Sequence, residues 1–510
     1  MPEYLSPGVY VEEIERGPKP IEGVATSTAA FLGETQRGPQ TPTLVTSYND
    51  YLRLFGDIYD PDKYMPYALK MFFDNGGRRC YITRIAPADA ATATITIAGL
   101  TVTALGPGSD YHKIWIRVGE GSTKDKAGQA IGFRLRVDYW ANLDDVPADA
   151  GSIGTTAKMP SISEDFNDLS VDPASTSYFE KRINNGSSSL VEVLPVDPTA
   201  GVTLPAADAD GQLPAAGDGS AVTAADYDFD DPDPGRRKGL AALELDAFRA
   251  VAVVHAPGAQ YDAAQKVVTH CENNRFRFAV IDSLPNQANA TSIDARAQVD
   301  DTQYGAFYYP WIWISDPRSG VRKLVPPGGA VCGIYALTDN NRGVFKAPAN
   351  ETVAGAIDLE YDINQQVQDT LNPGGINVIR RFPGRGIRVW GARTLSSDPL
   401  WKYVSVRRLF IFLEASIYNS TQWVVFEPND QRLWARVKQT ITLFLRTQWR
   451  EGALFGAKEE EAFSVAVGRE TMTEDDILNG RLIVEIGIAP VRPAEFVVFR
   501  IFQKTQEAKS

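Results

Sequence analysis

Catalysis needs side chains that hold a proton, a metal or a phosphate, and this chain carries few of them in a usable arrangement. Its 510 residues include three histidines, His112, His255 and His270. His255 directly follows a strand-like run at 249–254, where α/β enzymes place catalytic groups. No nucleophile motif or phosphate loop accompanies it, since G-x-S-x-G, H-E-x-x-H, the P-loop and a strand-borne G-x-G-x-x-G are all missing. The expectation is a surface or loop histidine and no catalytic residue. Asp226-Tyr-Asp-Phe-Asp230 opens like a calcium loop, yet Asp231 stands at the glycine position and Arg237 at the bidentate position. It reads as a solvated acidic linker. Cys80, Cys271 and Cys332 show no C-x-x-C spacing, which argues against a disulfide framework or a cysteine zinc site and suits a reducing compartment. No cofactor and no metal is expected.

Arginine is the residue type whose spacing says most. Arg380-Arg-Phe-Pro-Gly-Arg-Gly-Ile-Arg388 sets four arginines around a Pro-Gly turn. Guanidinium forks there hold either a phosphate or carboxylates of a neighbour, and the acidic total charge favours the second. Another set lies on a long amphipathic helix that Asn429 or Asp430 can cap and Gly452 can end. Leu433, Val437, Ile441, Phe444 and Leu445 share one face at about 100° per residue. Arg432, Arg436, Arg446 and Arg450, with Gln439, form the opposite stripe, about 27 Å long at 1.5 Å per residue. No carboxylate stands at i±4 between them, so the stripe either meets an acidic partner or is a solvated face.

The elements that must position these groups differ along the chain. Strands are expected at 28–33 and 80–85, and helices at 49–55 and 65–75, the second stopped by Gly76-Gly77. From about 90 to 237, short alternating runs at 92–97, 114–118 and 132–139 lie between Gly-, Ser-, Asp- and Pro-rich turns. They predict a β-rich insertion of the sandwich or barrel kind, with an exposed, mobile late part at 196–235. From 240 onward, apolar strands at 249–254, 277–282 and 305–314 alternate with helices at 262–273 and 292–299, the rhythm of a parallel sheet. A short helix at 473–479 and a strand at 482–488 follow the long helix.

Both chain ends carry apolar strands beside proline breaks. Residues 8–14 present Val9, Tyr10, Val11 and Ile14 ahead of Pro18 and Pro20. Residues 495–502 present Phe496, Val498, Phe499, Ile501 and Phe502, apolar on both alternating faces, after Pro490 and Pro493. A strand tethered in this way pairs with its own sheet or with a neighbour's edge, and the residues alone put the intramolecular option first.

The totals fit these readings. A chain of 510 residues with 44% hydrophobic and 23% charged content predicts two or three well-packed domains without a disorder signature. A net charge of −13 repels nucleic acid and anionic membrane. The charge is uneven: residues 371–510 hold 20 Lys/Arg against 15 Asp/Glu, and residues 91–240 hold 12 against 22. Such asymmetry suggests complementary faces that meet another protein, often a second copy. No signal segment opens the sequence and no apolar run reaches membrane-spanning length, so synthesis and folding in the cytosol are expected, without membrane insertion.

Read in order, these segments resemble the phage tail sheath family, the sheath subunits of contractile tails and phage-tail-like contractile injection systems. The similarity lies in Ser6-Pro-Gly-Val-Tyr-Val-Glu12, Phe31-Leu-Gly-Glu-Thr35, Arg37-Gly-Pro39 and Cys80-Tyr-Ile-Thr-Arg84. It continues through Tyr309-Pro-Trp311, Val325-Pro-Pro-Gly-Gly-Ala-Val331, Lys346-Ala-Pro-Ala-Asn350 and Leu371-Asn-Pro-Gly-Gly-Ile-Asn377. Gly386-Ile-Arg-Val-Trp-Gly-Ala-Arg-Thr-Leu395, Phe426-Glu-Pro-Asn429, Gly487-Ile-Ala-Pro490 and Pro493-Ala-Glu-Phe496 complete it. It covers about 1–90 and 240–510 and leaves out 91–237.

The resemblance implies a structural, non-enzymatic subunit that polymerises in a helical, six-start array around an inner tube. The sheath is held extended in a metastable state and contracts to drive the tube through a target envelope. It implies stacked hexameric rings, an inner tube protein, baseplate and terminator or cap proteins as partners, and assembly in the bacterial cytoplasm. The terminal strands become staples between subunits, and the stripe Arg432, Arg436, Arg446 and Arg450 becomes a candidate tube-facing surface. The expected fold is α/β and α+β multidomain. Its parts are an N-terminal arm at 1–25, a discontinuous inner core at 26–90 plus 346–490, a β-rich outer insertion at 91–237, a parallel-sheet α/β domain at 238–345 and a C-terminal arm at 491–510. The rival readings are an α/β enzyme using His255 and a surface adhesin using the acidic insertion.

Overall fold

Apolar runs without polar alternation need cover on both faces, and here they find it in an eight-stranded sheet. A computed structural model describes residues 20–153, 157–197, 203 and 209–501. The sheet order is Gly386–Val389, Ile376–Phe382, Gly305–Tyr309, Phe278–Asp282, Val253–His255, Ala29–Gly33, Cys80–Arg84, Thr43–Val45. The six inner strands run parallel and the strand at each edge is antiparallel. Every residue of Ala29–Gly33, Phe278–Asp282 and Gly305–Tyr309 is buried. Fold class is therefore mixed, with several sheets in more than one packing unit.

Ala25–Arg342 with Lys346–Arg407 form one compact unit, and the described parts of 20–24, Gly343–Phe345 and 408–501 belong to another. The expected grouping sets 26–90 with 346–490; here 26–90 shares one unit with 346–407 and also with 253–309, while 408–490 lies in the other. The reason is backbone hydrogen bonding: Ala29 and Phe31 register with Val253 and His255 on one side and with Cys80 and Ile82 on the other. The first ninety residues thus supply central strands of the same sheet that 253–309 builds.

Helix Gly328–Arg342 went unassigned in the sequence because its start, Gly-Gly after Pro-Pro, reads as a turn. It packs against helix Met65–Asp74. Two of its glycines let the backbones touch: a Cβ at Gly329 would lie 2.5 Å from the Ala68 carbonyl oxygen, and one at Gly333 2.5 Å from that of Phe72. The run expected as one strand over 305–314 is two. Pro310 interrupts it, and Ile312–Ser315 joins a separate sheet with Arg322–Val325 and Ala356–Leu359. The helix expected at 292–299 shortens to Ala295–Gln298.

Between Arg84 and Val253 the chain builds two antiparallel sheets. Thr94–Ile97, Leu100–Ala104 and Val191–Pro195 form one; Ala209–Gln212, Ile114–Glu120, Phe133–Tyr139 and Ile162–Leu169 form the other. They share a core of Val102, Ile116, Leu135, Val137 and Val193. The expectation of an exposed, mobile 196–235 fails in part, because Ala209–Gln212 pairs with Ile114–Glu120 and Leu213 is wholly buried. That run reads as polar only until its partner strand is known.

The second unit holds the C-terminal part of helix Val404–Ser420, the helix Gln431–Arg450 and the antiparallel hairpin Phe463–Val467 with Val484–Ile488. Leu409, Leu413, Val437, Ile441, Leu445 and Leu454 fill its core. The apolar face predicted for the long helix is the buried one.

One buried titratable group lends the α/β unit a pH dependence. His270, on helix Tyr261–Asn274, accepts a hydrogen bond at Nε2 from the Arg277 guanidinium at 2.6 Å. Burial first, and the Arg277 cation second, push its pKa from the ordinary 6.5 down to about 3. Folding therefore favours the neutral ring, so this stability is present above pH 6.5 and is lost as pH falls toward 3. His270→Gln is expected to reduce the slope of unfolding free energy against pH in that window by up to one proton, about 1.4 kcal/mol per pH unit. Urea titrations of both proteins at several pH values measure it, and parallel slopes would contradict the assignment.

Candidate assembly surfaces

His255 is the first sequence candidate to be placed, and it is not at the surface. It is wholly buried at the end of strand Val253–His255. Its Nδ1 lies 2.9 Å from the Val280 carbonyl oxygen, and its Nε2 lies 3.4 Å from an Asp282 carboxylate oxygen. Asp282 in turn accepts hydrogen bonds from the amides of Gly328 at 2.7 Å and Gly258 at 3.3 Å. Burial holds the Asp282 carboxyl above the usual range, opposed by His255 and the two amides. A Cβ on Gly328 would sit 2.2 Å from the imidazole, so the start of helix Gly328–Arg342 closes over the pair. What resembles an α/β catalytic position is a packed joint between two strands and a helix.

The acidic linker is likewise used up locally. Asp226 closes a capping box with Thr223, Asp233 caps Gly235 and Asp230 pairs with Arg237 at 3.0 Å. Among the described residues no three His, Cys, Asp or Glu side chains converge as a metal site.

The arginine hairpin Ile376–Phe382 with Gly386–Val389 divides. Arg381 pairs with Asp358 and lies 3.7 Å from Asp362. Arg385 and Arg388 donate to Asn350, and Arg380 to the side-chain carbonyls of Gln365 and Gln368.

The stripe on helix Gln431–Arg450 divides as well. Asp430 is the residue that caps it, accepting from the amides of Arg432 and Leu433, both at 2.9 Å. Gly452, at φ +88°, takes the left-handed conformation just past its end. Arg446 makes a two-pronged bridge to Glu459 at 2.7 and 2.9 Å, which holds the Glu459 carboxyl below its usual range. Arg436 lies 3.8 Å from Glu427 and covers the Trp423 ring at 4.5 Å. Arg432 and Arg450 are exposed and make no ion pair among the described residues. Four cations in register in the sequence thus become two paired within the chain and two at the helix ends. The partners, Glu427 and Glu459, lie outside the helix, where i±4 counting does not look.

Of the terminal strands, Val9, Tyr10, Val11, Ile14 and Phe502 lie outside the described residues. Residues 495–501 pair as a strand with none of the described residues. Val498, Phe499 and Ile501 are 76%, 83% and 95% exposed, and Phe496 is exposed too. A strand needs an edge to pair with. Among the described residues the hairpin Phe463–Val467 with Val484–Ile488 is a sheet of two strands, the kind of edge such a strand can extend. The sequence signal for it was the same apolar alternation that marked 482–488.

Structurally this is the architecture of a contractile-sheath subunit. It matches the helical sheath of the anti-feeding prophage in the contracted state with a TM-score of 0.60 and 25% identity over 98% of this chain and 99% of that one. It also matches the sheath of an extracellular contractile injection system, contracted, at a TM-score of 0.59 and 24% identity over 99% and 100% of the two chains, a likeness of fold. In sequence, the central domain of phage tail sheath proteins matches residues 220–395 and their C-terminal domain matches 396–504. A putative prophage major tail sheath protein of Pseudomonas aeruginosa is 25% identical over 279 residues, 52% of this chain and 69% of the relative. The tail sheath protein of Burkholderia phage BcepMu is 26% identical over 159 residues, 29% of this chain and 33% of that one. The chain belongs to the phage tail sheath family. It is a structural protein and not an enzyme, a subunit of a homo-oligomeric sheath in a phage tail or tail-like injection particle. No described helix is long and apolar enough to cross a membrane.

In a structural protein the His255–Asp282 pair serves packing alone. Gly328→Ala forces a methyl group against the imidazole and the Asp282 carboxylate, and is expected to destabilise the α/β unit by about 1–3 kcal/mol. Chemical denaturation checks this, and unchanged stability would show that the helix start is not packed as described.

Proposed function

We propose that the chain polymerises helically around an inner tube in a metastable extended state and contracts to drive that tube through a target envelope. The observation that carries this reading is the match along 98% of the chain to a helical sheath in the contracted state. Stacked hexameric rings are the proposed arrangement, supported by the likeness to a chain of a baseplate resolved with sixfold symmetry. Baseplate, inner tube and terminator or cap proteins are the proposed partners, without nucleic acid and without membrane insertion of the sheath chain. Assembly takes place in the bacterial cytoplasm, and the particle is then either released or membrane-anchored. Residues 91–237 form an outward insertion. No nucleotide is hydrolysed in the sheath, because the work comes from the difference between two packings of the same subunits.

The terminal arms 1–25 and 491–510 staple neighbours together. Val9, Tyr10, Val11 and Ile14 of one arm and Phe496, Val498, Phe499, Ile501 and Phe502 of the other form strands on neighbouring subunits. The open edges of the hairpin Phe463–Val467 with Val484–Ile488 are their receiving sites. Main-chain hydrogen bonds hold the neighbours while the proline-containing linkers swing as subunits reorient. Of the arginine stripe, Arg432 and Arg450 remain for an acidic surface in the assembly, either the tube or an adjacent sheath subunit.

Negative-stain microscopy of the purified protein, alone and with its tube, is expected to reveal striated sheaths; a strictly monomeric population with a turnover activity would overturn the reading. Deleting residues 1–20 or 491–510 is expected to leave a folded, soluble monomer unable to polymerise, and normal sheaths from either truncation would remove the staple. Charge reversal at Arg432 and Arg450 is expected to weaken extended-sheath assembly by roughly tenfold or more in critical concentration, as for loss of exposed but complementary charges. Unchanged assembly would make the stripe a solvated face.

A further inference from the structure

The C-terminal unit carries a knob and a cavity that it cannot join to each other. The knob is the loop between its two long helices. Phe426 there is 103% exposed, its neighbour Val425 is 59% exposed, and Phe426 holds φ at +68°. Left-handed backbone is costly for a bulky residue, and a fully exposed aromatic ring in that conformation gains nothing within its own chain to offset it. The cavity, of about 520 Å³, lies along the C-terminal half of helix Gln431–Arg450, walled by Ile21, Phe412, Leu443 and Phe444. It has room for an aromatic ring and its flanking groups. On its wall the buried Thr440 hydroxyl has no hydrogen-bond partner among the described residues.

Charge marks the same two places. Arg432 stands in the first turn of the helix, beside the knob, and Glu451 caps its last turn at the cavity. Each opposes the helix dipole, which favours anions at the N-terminus and cations at the C-terminus. Neither has an ion-pair partner among the described residues. The nineteen steps between them span about 28 Å at 1.5 Å per residue, so no chain can bring its own knob to its own cavity.

We propose that Phe426 of one subunit enters the cavity of a second copy, with Arg432 of the first meeting Glu451 of the second. The contact sets the N-terminal end of one long helix against the C-terminal end of the next, which aligns their dipoles and relieves both misplaced charges. Because the two patches differ, the contact is head-to-tail, the kind that generates an open helix where its rotation does not close into a ring. The occupant is a second copy because size, polarity and charge on both sides come from this chain. The inference rests on the sheath reading and adds a contact distinct from the terminal arms.

Cysteine cross-linking tests it in assembled sheaths, since Cys80, Cys271 and Cys332 are all buried. Sheaths carrying both Phe426→Cys and Thr447→Cys, treated with a short bismaleimide, are expected to give a ladder of multimers. Mixed sheaths of the two single variants are expected to give heterodimers only. Sheaths that assemble without cross-linking overturn the contact, as does equal cross-linking of Phe426→Cys alone. In the monomer Thr447→Cys is expected to react freely; protection there would mean that the chain's own first residues fill the cavity, and would overturn the proposal. Phe426→Ala is expected to raise the critical concentration for assembly at least tenfold while Phe426→Trp keeps it within a few-fold. Arg432→Glu is expected to weaken assembly and Glu451→Arg in the same chain to restore it; two additive losses count against the pairing. Failure of the wild-type protein to form any sheath would instead remove the sheath reading itself.

Discussion

The backbone ladder that holds Ala29–Gly33 between Cys80–Arg84 and Val253–His255 is the constraint on which the larger unit depends. A parallel strand at the centre of a sheet must satisfy its amides and carbonyls on both sides, and it buries both faces while doing so. Ala29 to Gly33 do this with every residue buried. The ladder ties the start of the chain to its middle. Everything between Arg84 and Val253 then leaves the sheet on one side of Ala29–Gly33 and returns on the other. A long β-rich insertion is tolerated there because it closes its own core around Val102, Ile116 and Leu135.

The smaller unit follows a different rule. Its helices bury one face each around Leu409, Leu413, Val437 and Ile441, and among the described residues its hairpin has two strands. A two-stranded sheet is marginal alone and leaves rows of unpaired backbone groups at both edges. Natural proteins blunt such edges when they must stay monomeric. Here apolar side chains at Val498, Phe499 and Ile501 instead remain exposed at the end of the chain. Exposed apolar side chains of this kind suit a subunit of a homo-oligomeric sheath.

Electrostatics in this protein is settled by contacts between elements. Arg446 and Arg436 look like half of a free cationic stripe until Glu459 and Glu427 are placed beside them. His255 looks like a catalytic candidate until Asp282, the Val280 carbonyl and the start of helix Gly328–Arg342 enclose it. In each case the ionic or polar group was visible in the residue order, and its partner came from outside its own helix or strand.

Local periodicity was enough to place the buried strands at 28–33, 80–85 and 277–282, the buried face of helix Gln431–Arg450 and a cap at Asn429 or Asp430, because each depends on residues a few positions apart. The ordered motifs at both ends, from Phe31 to Phe496, were enough for the family. Other features escaped for a physical reason: they depend on pairing. Helix Gly328–Arg342 needs the backbone of Met65–Asp74 to make sense of Gly329 and Gly333. Strand Ala209–Gln212 needs Ile114–Glu120, and the sheet membership of residues 26–90 needs Val253–His255. Sequence alone determined which segments must be buried and that the protein is a sheath subunit. Tertiary structure decided which segments bury one another and which charges pair within the chain, because hydrogen bonds and ion pairs between separate elements leave no period in the chain.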